Sequence, residues 1–151
     1  MSQKRKVYEG FSLIEILIVV ALIIILATIT IVAINPAKNF RDTRNAHRSG
    51  DVSQILNAIT QYTSEEGNSV TQFGTIATCT ANVNEGTAIG TGTGNVNLAT
   101  RLVDEYIVAI PMDPSGGTAE NTGYVMCVTS GGRVQISAPS AEDGKVISVK
   151  R

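Results

Sequence analysis

Few side chains in this sequence could act together as a catalytic site. The 151 residues include a single histidine, His47, which lies in a polar, basic stretch where a surface position is the simplest interpretation. The glycines at 90–94 have the wrong spacing for a phosphate loop or a dinucleotide-binding turn, and no Gly-x-Ser-x-Gly element is present. We therefore predict that the protein is not an enzyme and has no catalytic residue.

The two cysteines, Cys79 and Cys127, could form a disulfide or remain as two buried thiols. Both lie after the apolar segment near the start of the chain, so they would share an oxidising compartment if that segment crosses a membrane. This placement favours one disulfide between them. A paired cysteine is no longer a nucleophile or a metal ligand.

An oxygen-rich segment at 113–121 contains the only other candidate chemistry. Asp113, Glu120 and Asn121 bring carboxylate and amide oxygens close together on a loop, and such loops can hold calcium. Two carboxylates are few for a calcium site, and the prolines and glycines of the segment explain it equally well as plain turns. We expect no other cofactor, and calcium at these three residues is one of two interpretations.

These residues belong to a chain that begins with a long apolar segment. From Ile16 to Ile34 nineteen residues carry no charge, and a helix from Phe11 to Ile34 would be about 36 Å long. That length covers the ~30 Å hydrocarbon core of a bilayer. The segment is rich in β-branched residues, but strands rarely exceed about ten residues and only a helix satisfies its own backbone in lipid. We predict a transmembrane helix.

The residues before this helix distinguish it from an ordinary secretory signal. The apolar run is too long for the hydrophobic region of such a signal, no small-x-small cleavage site follows it, and a carboxylate, Glu15, lies just inside it. The basic residues 4–6 followed by Gly10-Phe11-Ser12-Leu13-Ile14-Glu15 resemble the class III signal of type IV pilins and of the related type II secretion pseudopilins.

The resemblance implies a processing and assembly route. A prepilin peptidase would cut between Gly10 and Phe11, the new N-terminus at Phe11 would be methylated, and the helices of many subunits would pack as the core of a filament. Glu15 lies four residues after Phe11 on the same helical face, so its carboxylate could pair with the Phe11 amine of its own or a neighbouring subunit. The segment at 113–121 also resembles, loosely, the calcium loop of major pseudopilins.

The same resemblance implies partners and a location. The partners would be other copies of the chain or other pilins, the prepilin peptidase and an inner-membrane assembly platform. The precursor would cross the inner membrane once, with its N-terminus in the cytoplasm, before it enters an extracellular pilus or a periplasmic pseudopilus. The formal net charge of −1 argues against nucleic acid as a specific partner.

After the predicted transmembrane helix, the sequence predicts a second helix followed by a small head. The segment 36–67 is amphipathic, and Ser49-Gly50-Asp51 could either continue the helix or break it. The basic stretch from Lys38 to Arg48 is interpreted as a solvated helix face near lipid headgroups rather than as a ligand site. The apolar positions recur at spacings of three and four: Val52, Ile55, Leu56, Ile59 and Tyr62.

The region 68–151 is expected to form the head. A Thr- and Gly-rich stretch at 68–97 favours an exposed, variable loop, and Leu98, Leu102 and Tyr106 would face inward from a short helix. Three β-prone runs within 123–150 predict antiparallel strands, at 123–129, 133–138 and 145–149. The predicted fold class is α+β, a long N-terminal helix with a small C-terminal antiparallel sheet, as in pilins.

This division assigns residues 1–10 to a cleaved basic leader and 11–35 to the transmembrane and assembly helix. The function that follows is a structural subunit, major or minor, of a type IV pilus, which can serve adhesion, motility, DNA uptake or secretion. A type II secretion pseudopilin is the alternative, because it carries the same signal. A membrane-anchored binding module would need only a generic anchor and would leave Gly10-Phe11 and Glu15 unexplained.

Overall fold

A computed structural model of the chain describes residues 10–151, so most of the predicted leader lies outside the described residues. The described chain divides into two compact units, one ending at Asn39 and one comprising Phe40–Arg151, which we call the head. Three α-helices are present among the described residues: α1 (Leu13–Ile34), α2 (Pro36–Ser64) and the short α3 (Ala99–Leu102). A 3-10 helix, Val70–Phe73, follows α2.

The break between the first two helices lies at Asn35. This residue has left-handed backbone angles, φ 47° and ψ 74°, which a helix cannot continue through. Its side-chain and backbone oxygens both accept a hydrogen bond from the Lys38 backbone N–H, and Pro36 fills the first position of α2, where no N–H donor is needed. The helix α2 then continues without interruption through Ser49, Gly50 and Asp51. Of the two alternatives for these residues, the continuous helix is therefore the one observed.

The head contains a small mixed sheet. Its strands are β1 (Ala77–Thr78), β2 (Thr87–Ala88), β3 (Val125–Val128), β4 (Val134–Ser137) and β5 (Ser148–Lys150). The order is β1-β3-β4-β5, with β2 also paired to β3. The three C-terminal strands are antiparallel, as the sequence predicts, whereas β1 runs parallel to β3 and makes the sheet mixed.

One face of α2 covers this sheet and forms the core with it. Val52, Ile55 and Ile59 are almost completely buried, in one cluster with Tyr124 and Ile136 of the sheet region. Burying each such side chain stabilises the head by roughly 1.5–3 kcal/mol. The α+β fold, with a long N-terminal helix region and a small sheet, is therefore confirmed.

The Thr- and Gly-rich stretch differs from the expected exposed loop. It contributes β1 and β2 to the sheet, and two of its apolar side chains, Ile89 and Val96, are 0% and 1% exposed. Ile89 also exchanges backbone hydrogen bonds with Tyr124 and Thr122, which fix it to the start of β3. Composition alone underestimated this region because three of its apolar side chains, Phe73, Ile89 and Val96, are part of the core.

Candidate functional site

The N-terminal candidate site is the turn that starts α1. The backbone O of Ser12 accepts hydrogen bonds from the N–H groups of Glu15 at 3.0 Å and Ile16 at 3.3 Å. In return, the Glu15 carboxylate accepts the Ser12 backbone N–H at 2.9 Å. A carboxylate at this end of a helix satisfies a donor that has no partner within the helix and lies at the positive end of the helix dipole.

The residues of the predicted cleavage junction are exposed and make few contacts within the described chain. A Cβ atom built on Gly10 would meet no atom within 4 Å, so packing within the described chain does not require glycine there. Phe11 is 85% exposed, which is high for a large aromatic residue. Within the described chain Gly10, Phe11 and Glu15 thus lie close together at the beginning of α1, and all three are exposed.

The surface of α1 is apolar on every side. Leu13–Ile34 is long and apolar enough to cross a membrane, with a mean hydropathy of 3.3, and none of its residues is buried. The hydroxyls of Thr28 and Thr30 donate to carbonyls four residues earlier, Ile24 and Leu26, at 2.8 Å. These internal bonds leave no hydroxyl donor unsatisfied on a helix that has no water around it in lipid.

The cysteines form a disulfide in the head. The sulfurs of Cys79 and Cys127 are bonded at 2.04 Å, and the backbone N–H of Cys79 donates to Val128 at 3.0 Å. The bond links the end of β1 to the centre of the sheet. No free cysteine occurs within residues 10–151.

The calcium candidates have other partners in the structure. Both Asp113 oxygens accept hydrogen bonds from the Arg48 guanidinium, and one of them also accepts from the Ser115 backbone N–H. The Asn121 side-chain oxygen accepts from the Gly123 backbone N–H, and Glu120 is exposed. Nowhere in the described part of the chain do three or more His, Cys, Asp or Glu side chains gather as metal ligands. Calcium binding at these residues stays a prediction.

The basic stretch of α2 contains a polar site that the sequence interpretation missed. Arg48 has no exposed surface and is held by Asp113 in a two-pronged ion pair of 2.7 and 3.1 Å. Its other N–H groups donate to Ser115 at 2.6 Å, Glu142 at 3.0 Å and Asn45 at 3.1 Å. The expectation of a solvated helix face is therefore wrong at Arg48.

Arg44, one turn earlier, is only partly exposed. It makes a two-pronged pair of 2.5 and 2.7 Å with Glu142, which lies in the loop between β4 and β5. Asn45 joins the same loop through both of its amide atoms, because its oxygen accepts the Glu142 backbone N–H and its nitrogen donates to the Glu142 carbonyl. His47 lies between these residues in sequence but is exposed, as expected.

The spacing of α2 contained a signal for this site. The buried positions Val52, Ile55, Ile59 and Tyr62 are separated by alternating steps of three and four. Extending the same steps backwards leads to Arg48 and Asn45, which therefore lie on the core-facing side of the helix. A charged residue on that side must find acceptors within the head, whatever the composition of the stretch around it.

Ion pairing lowers the pKa values of both acidic partners. Hydrogen bonds from Arg44 and then from Arg48 lower the pKa of Glu142 to about 2. Burial acts to raise the pKa of Asp113, but the hydrogen bonds from Arg48 and the Ser115 backbone outweigh it, so that pKa is also lowered. The pKa of Arg48 is raised, chiefly by its hydrogen bonds to Asp113. All three groups are thus charged at neutral pH, and the cluster is a set of ion pairs rather than a proton-transfer site.

An apolar cavity of about 280 Å³ lies elsewhere in the head, lined mainly by aliphatic side chains such as Leu98 and Ile110. Its only hydroxyl groups belong to Thr91 and Thr122, and both donate to backbone carbonyls, those of Ala119 and Ile89. The cavity has no acid, no base and no activated nucleophile in its lining. It does not supply the parts of a catalytic site.

Comparison with known proteins identifies the N-terminal segment. Residues 5–31 match the family described as the prokaryotic N-terminal methylation motif. This motif is the class III signal peptide of type IV pilins and pseudopilins, which confirms the resemblance seen in the sequence and points to a structural protein rather than an enzyme. No curated protein and no solved structure was found to match the chain.

Proposed function

We propose that this chain is the precursor of a filament subunit, a type IV pilin, that is cut by the prepilin peptidase, methylated at its new N-terminus and polymerised through α1. The observation that carries the proposal is the combination of two features in one segment. The methylation motif at 5–31 overlaps a 22-residue apolar helix of which no residue is buried. The motif accounts for the processing, and the uncovered helix accounts for the polymer.

The apolar surface of α1 must be shielded from water in every state of the protein. Its side chains are exposed around the whole circumference, so it can be stable only in lipid or against other apolar helices. Before assembly the membrane provides the cover. In a filament other copies of the same helix would provide it, because a helix that is apolar on every side can pack against neighbours in several directions.

Gly10 supports the assignment of the junction. Nothing in the described chain contacts the place where its side chain would be, so a substitution there should not disturb the fold. A requirement for glycine at this position would come from the enzyme that binds it. The proposed cut follows Gly10 and leaves Phe11 as the methylated N-terminus.

Glu15 is the proposed assembly residue. A carboxylate within an apolar membrane segment costs on the order of 3 kcal/mol even on the lenient insertion scale, so it needs a partner. In the uncut chain the Ser12 backbone N–H is one such partner, at 2.9 Å. After cleavage the amine at Phe11 would add a positive charge, and a neighbouring subunit could present that amine to Glu15 as it docks. The alternative is that Glu15 extends to the headgroups without a role in assembly.

Two substitutions test the proposal in the native bacterium. Gly10→Val should leave the precursor uncut in the inner membrane, whereas Gly10→Ala serves as a matched control with a smaller side chain. Glu15→Ala should be inserted and cut normally but should accumulate in the membrane without forming fibres. Immunoblotting and mass spectrometry of the N-terminus give the cleavage state, and electron microscopy of sheared fibres gives assembly.

The outcomes separate the alternatives. A chain that still begins at Phe11 in Gly10→Val would refute the junction, and a normal fibre yield from Glu15→Ala would refute the role of Glu15. Fibres on the cell surface support a pilus, whereas a polymer confined to the periplasm supports a secretion pseudopilus, which carries the same motif. An uncut monomer in the membrane would support the anchored binding module instead.

A further inference from the structure

Arg48 is completely buried and uses every donor it has. A guanidinium carries five N–H groups, and Arg48 makes five hydrogen bonds, to Asp113 twice and to Ser115, Glu142 and Asn45 once each. Among buried side-chain polar atoms of the described residues, Asn84 Oδ1 is the only one without a partner, so the cluster around Arg48 is fully satisfied. Such saturation is what a buried charge requires in order to be stable.

The acceptors around Arg48 come from two separate loops. Asp113 and Ser115 belong to the loop that precedes β3, and Glu142 belongs to the loop that connects β4 with β5. The first loop closes tightly over Asp113, because a Cβ added at Gly123, where φ is +84°, would lie 2.7 Å from the Asp113 Cβ. Arg48 of α2 therefore bonds to both loops, and Arg44 and Asn45 bond in addition to the second loop.

The same oxygen atoms are those that a hard cation would use. Two carboxylates, a hydroxyl and an amide oxygen surround the Arg48 guanidinium, and calcium prefers carboxylate and neutral oxygen ligands of this kind. The charges are balanced without a metal, since Arg44 and Arg48 face Asp113 and Glu142. A divalent cation at these oxygens would have to displace Arg48 and leave its positive charge buried without a partner, which is strongly unfavourable.

We propose that the Arg48 guanidinium provides the positive charge that holds the loops at 113–123 and 139–145 on α2, and that these loops are ordered without a divalent metal ion. The proposal concerns the head alone and does not depend on filament assembly. Under it, both loops are attached to α2 through Arg48 and both loosen when Arg48 is lost, the second loop less completely because Arg44 and Asn45 still bond to Glu142. The outer pairs, Arg41 with Asp143 and Lys145 with Asp42, are a third to a half exposed and are not needed for it.

The first test compares metal conditions for the full mature chain in detergent. The melting temperature is measured by circular dichroism in millimolar calcium chloride, in magnesium chloride and in EGTA. We expect the same melting temperature in all three. A melting temperature that rises with calcium in a saturable way, or falls in EGTA, would overturn the proposal.

The second test removes the Arg48 guanidinium. Arg48→Met keeps most of the side-chain length but none of the donors, and Arg41→Met changes a partly exposed arginine of the same helix as the matched control. Hydrogen exchange measured by mass spectrometry should show loss of amide protection in both loops of Arg48→Met, with β3 and β4 still protected, and no such loss in Arg41→Met. Loss in one loop only, or in neither, would contradict the shared attachment.

A third variant keeps the test valid if Arg48→Met does not fold. Glu142→Gln removes one acceptor charge but leaves the Asp113 pair with Arg48 in place. We expect lower protection at 139–145 and unchanged protection at 113–123. Equal loosening of the two loops would show that the pair between Arg48 and Asp113 does not by itself hold the loop at 113–123, and would overturn the proposal.

Discussion

Within the head, two parts of α2 are attached by different physical forces. From Val52 to Tyr62 the helix is held by apolar burial, with Ile55 and Ile59 at 0% and 1% exposure. From Arg41 to Arg48 it is held by ion pairs to the loops around Asp113 and Glu142. The helical face is the same in both parts, but the chemistry on that face changes between Arg48 and Val52.

The difference shows what each kind of attachment requires. Apolar burial is non-directional, so any side chains of suitable size and shape in the sheet can serve as partners. A buried guanidinium requires particular acceptors at hydrogen-bond distance and in its plane, and the two loops supply them. The apolar part therefore joins helix to sheet, whereas the charged part joins helix to loops, which have little apolar surface to bury.

Of the three stability measurements that follow, the largest effect is expected from an apolar substitution. Ile59→Ala should lower the free energy of unfolding of the head by about 3 kcal/mol, because it removes buried methyl groups and leaves a cavity. The measurement is urea unfolding of the full chain in detergent, monitored by tyrosine circular dichroism in the near ultraviolet. Gln54→Ala, at an exposed position of the same helix, is the control and should change the free energy little. Equal losses of unfolding free energy in the two variants would show that apolar burial at Ile59 does not hold this part of α2.

Acid should weaken the charged part selectively. The pKa of Glu142 is lowered from 4.5 to about 2, so its contribution to stability is complete above pH 4.5 and is lost as the pH falls through about 2. The melting temperature of the wild type should consequently fall more steeply between pH 5 and pH 2 than that of Glu142→Gln. Ile59→Ala should retain the wild-type slope, because apolar burial has no proton to bind. Identical slopes for the wild type and Glu142→Gln would show that the Glu142 pairs contribute nothing.

The smallest effect is expected at the outer edge of the charged part. Arg41 pairs with Asp143 at 2.7 Å, but the two side chains are 36% and 33% exposed. Arg41→Ala should therefore lower the unfolding free energy by less than about 1 kcal/mol, and added salt should reduce that difference further. Urea unfolding at low and high sodium chloride gives both values. A loss as large as that of Ile59→Ala, or one that salt leaves unchanged, would indicate that the outer pairs are as important as the core.

The elements with strong local signals were predictable. The apolar helix followed from an uncharged run too long for a strand, and the amphipathic face of α2 followed from steps of three and four ending at Tyr62. The strands at Val125–Val128 and Val134–Ser137 followed from β-prone residues on either side of a Gly-Gly turn. The methylation motif is likewise local, since all of its residues lie within 5–31.

The parts that escaped prediction depend on partners far apart in sequence. Asp113 looked like a metal ligand because its own segment is rich in oxygen atoms, yet its partner in the structure is Arg48, 65 residues away. Glu142 gave no signal, because its two arginine partners lie 98 and 94 residues earlier. Composition reports the neighbours of a residue along the chain, whereas a salt bridge depends on neighbours in space.

By itself, the sequence determined that an apolar helix with the methylation motif is followed by an amphipathic helix and a small sheet, because length, periodicity and turn residues act over a few turns of chain. Only the tertiary structure decided that the Thr- and Gly-rich stretch joins the sheet and that Arg48 enters the interior. Both outcomes depend on surfaces that exist only after the chain has folded. A buried arginine is stable there only because Asp113 and Glu142 reach it from two different loops.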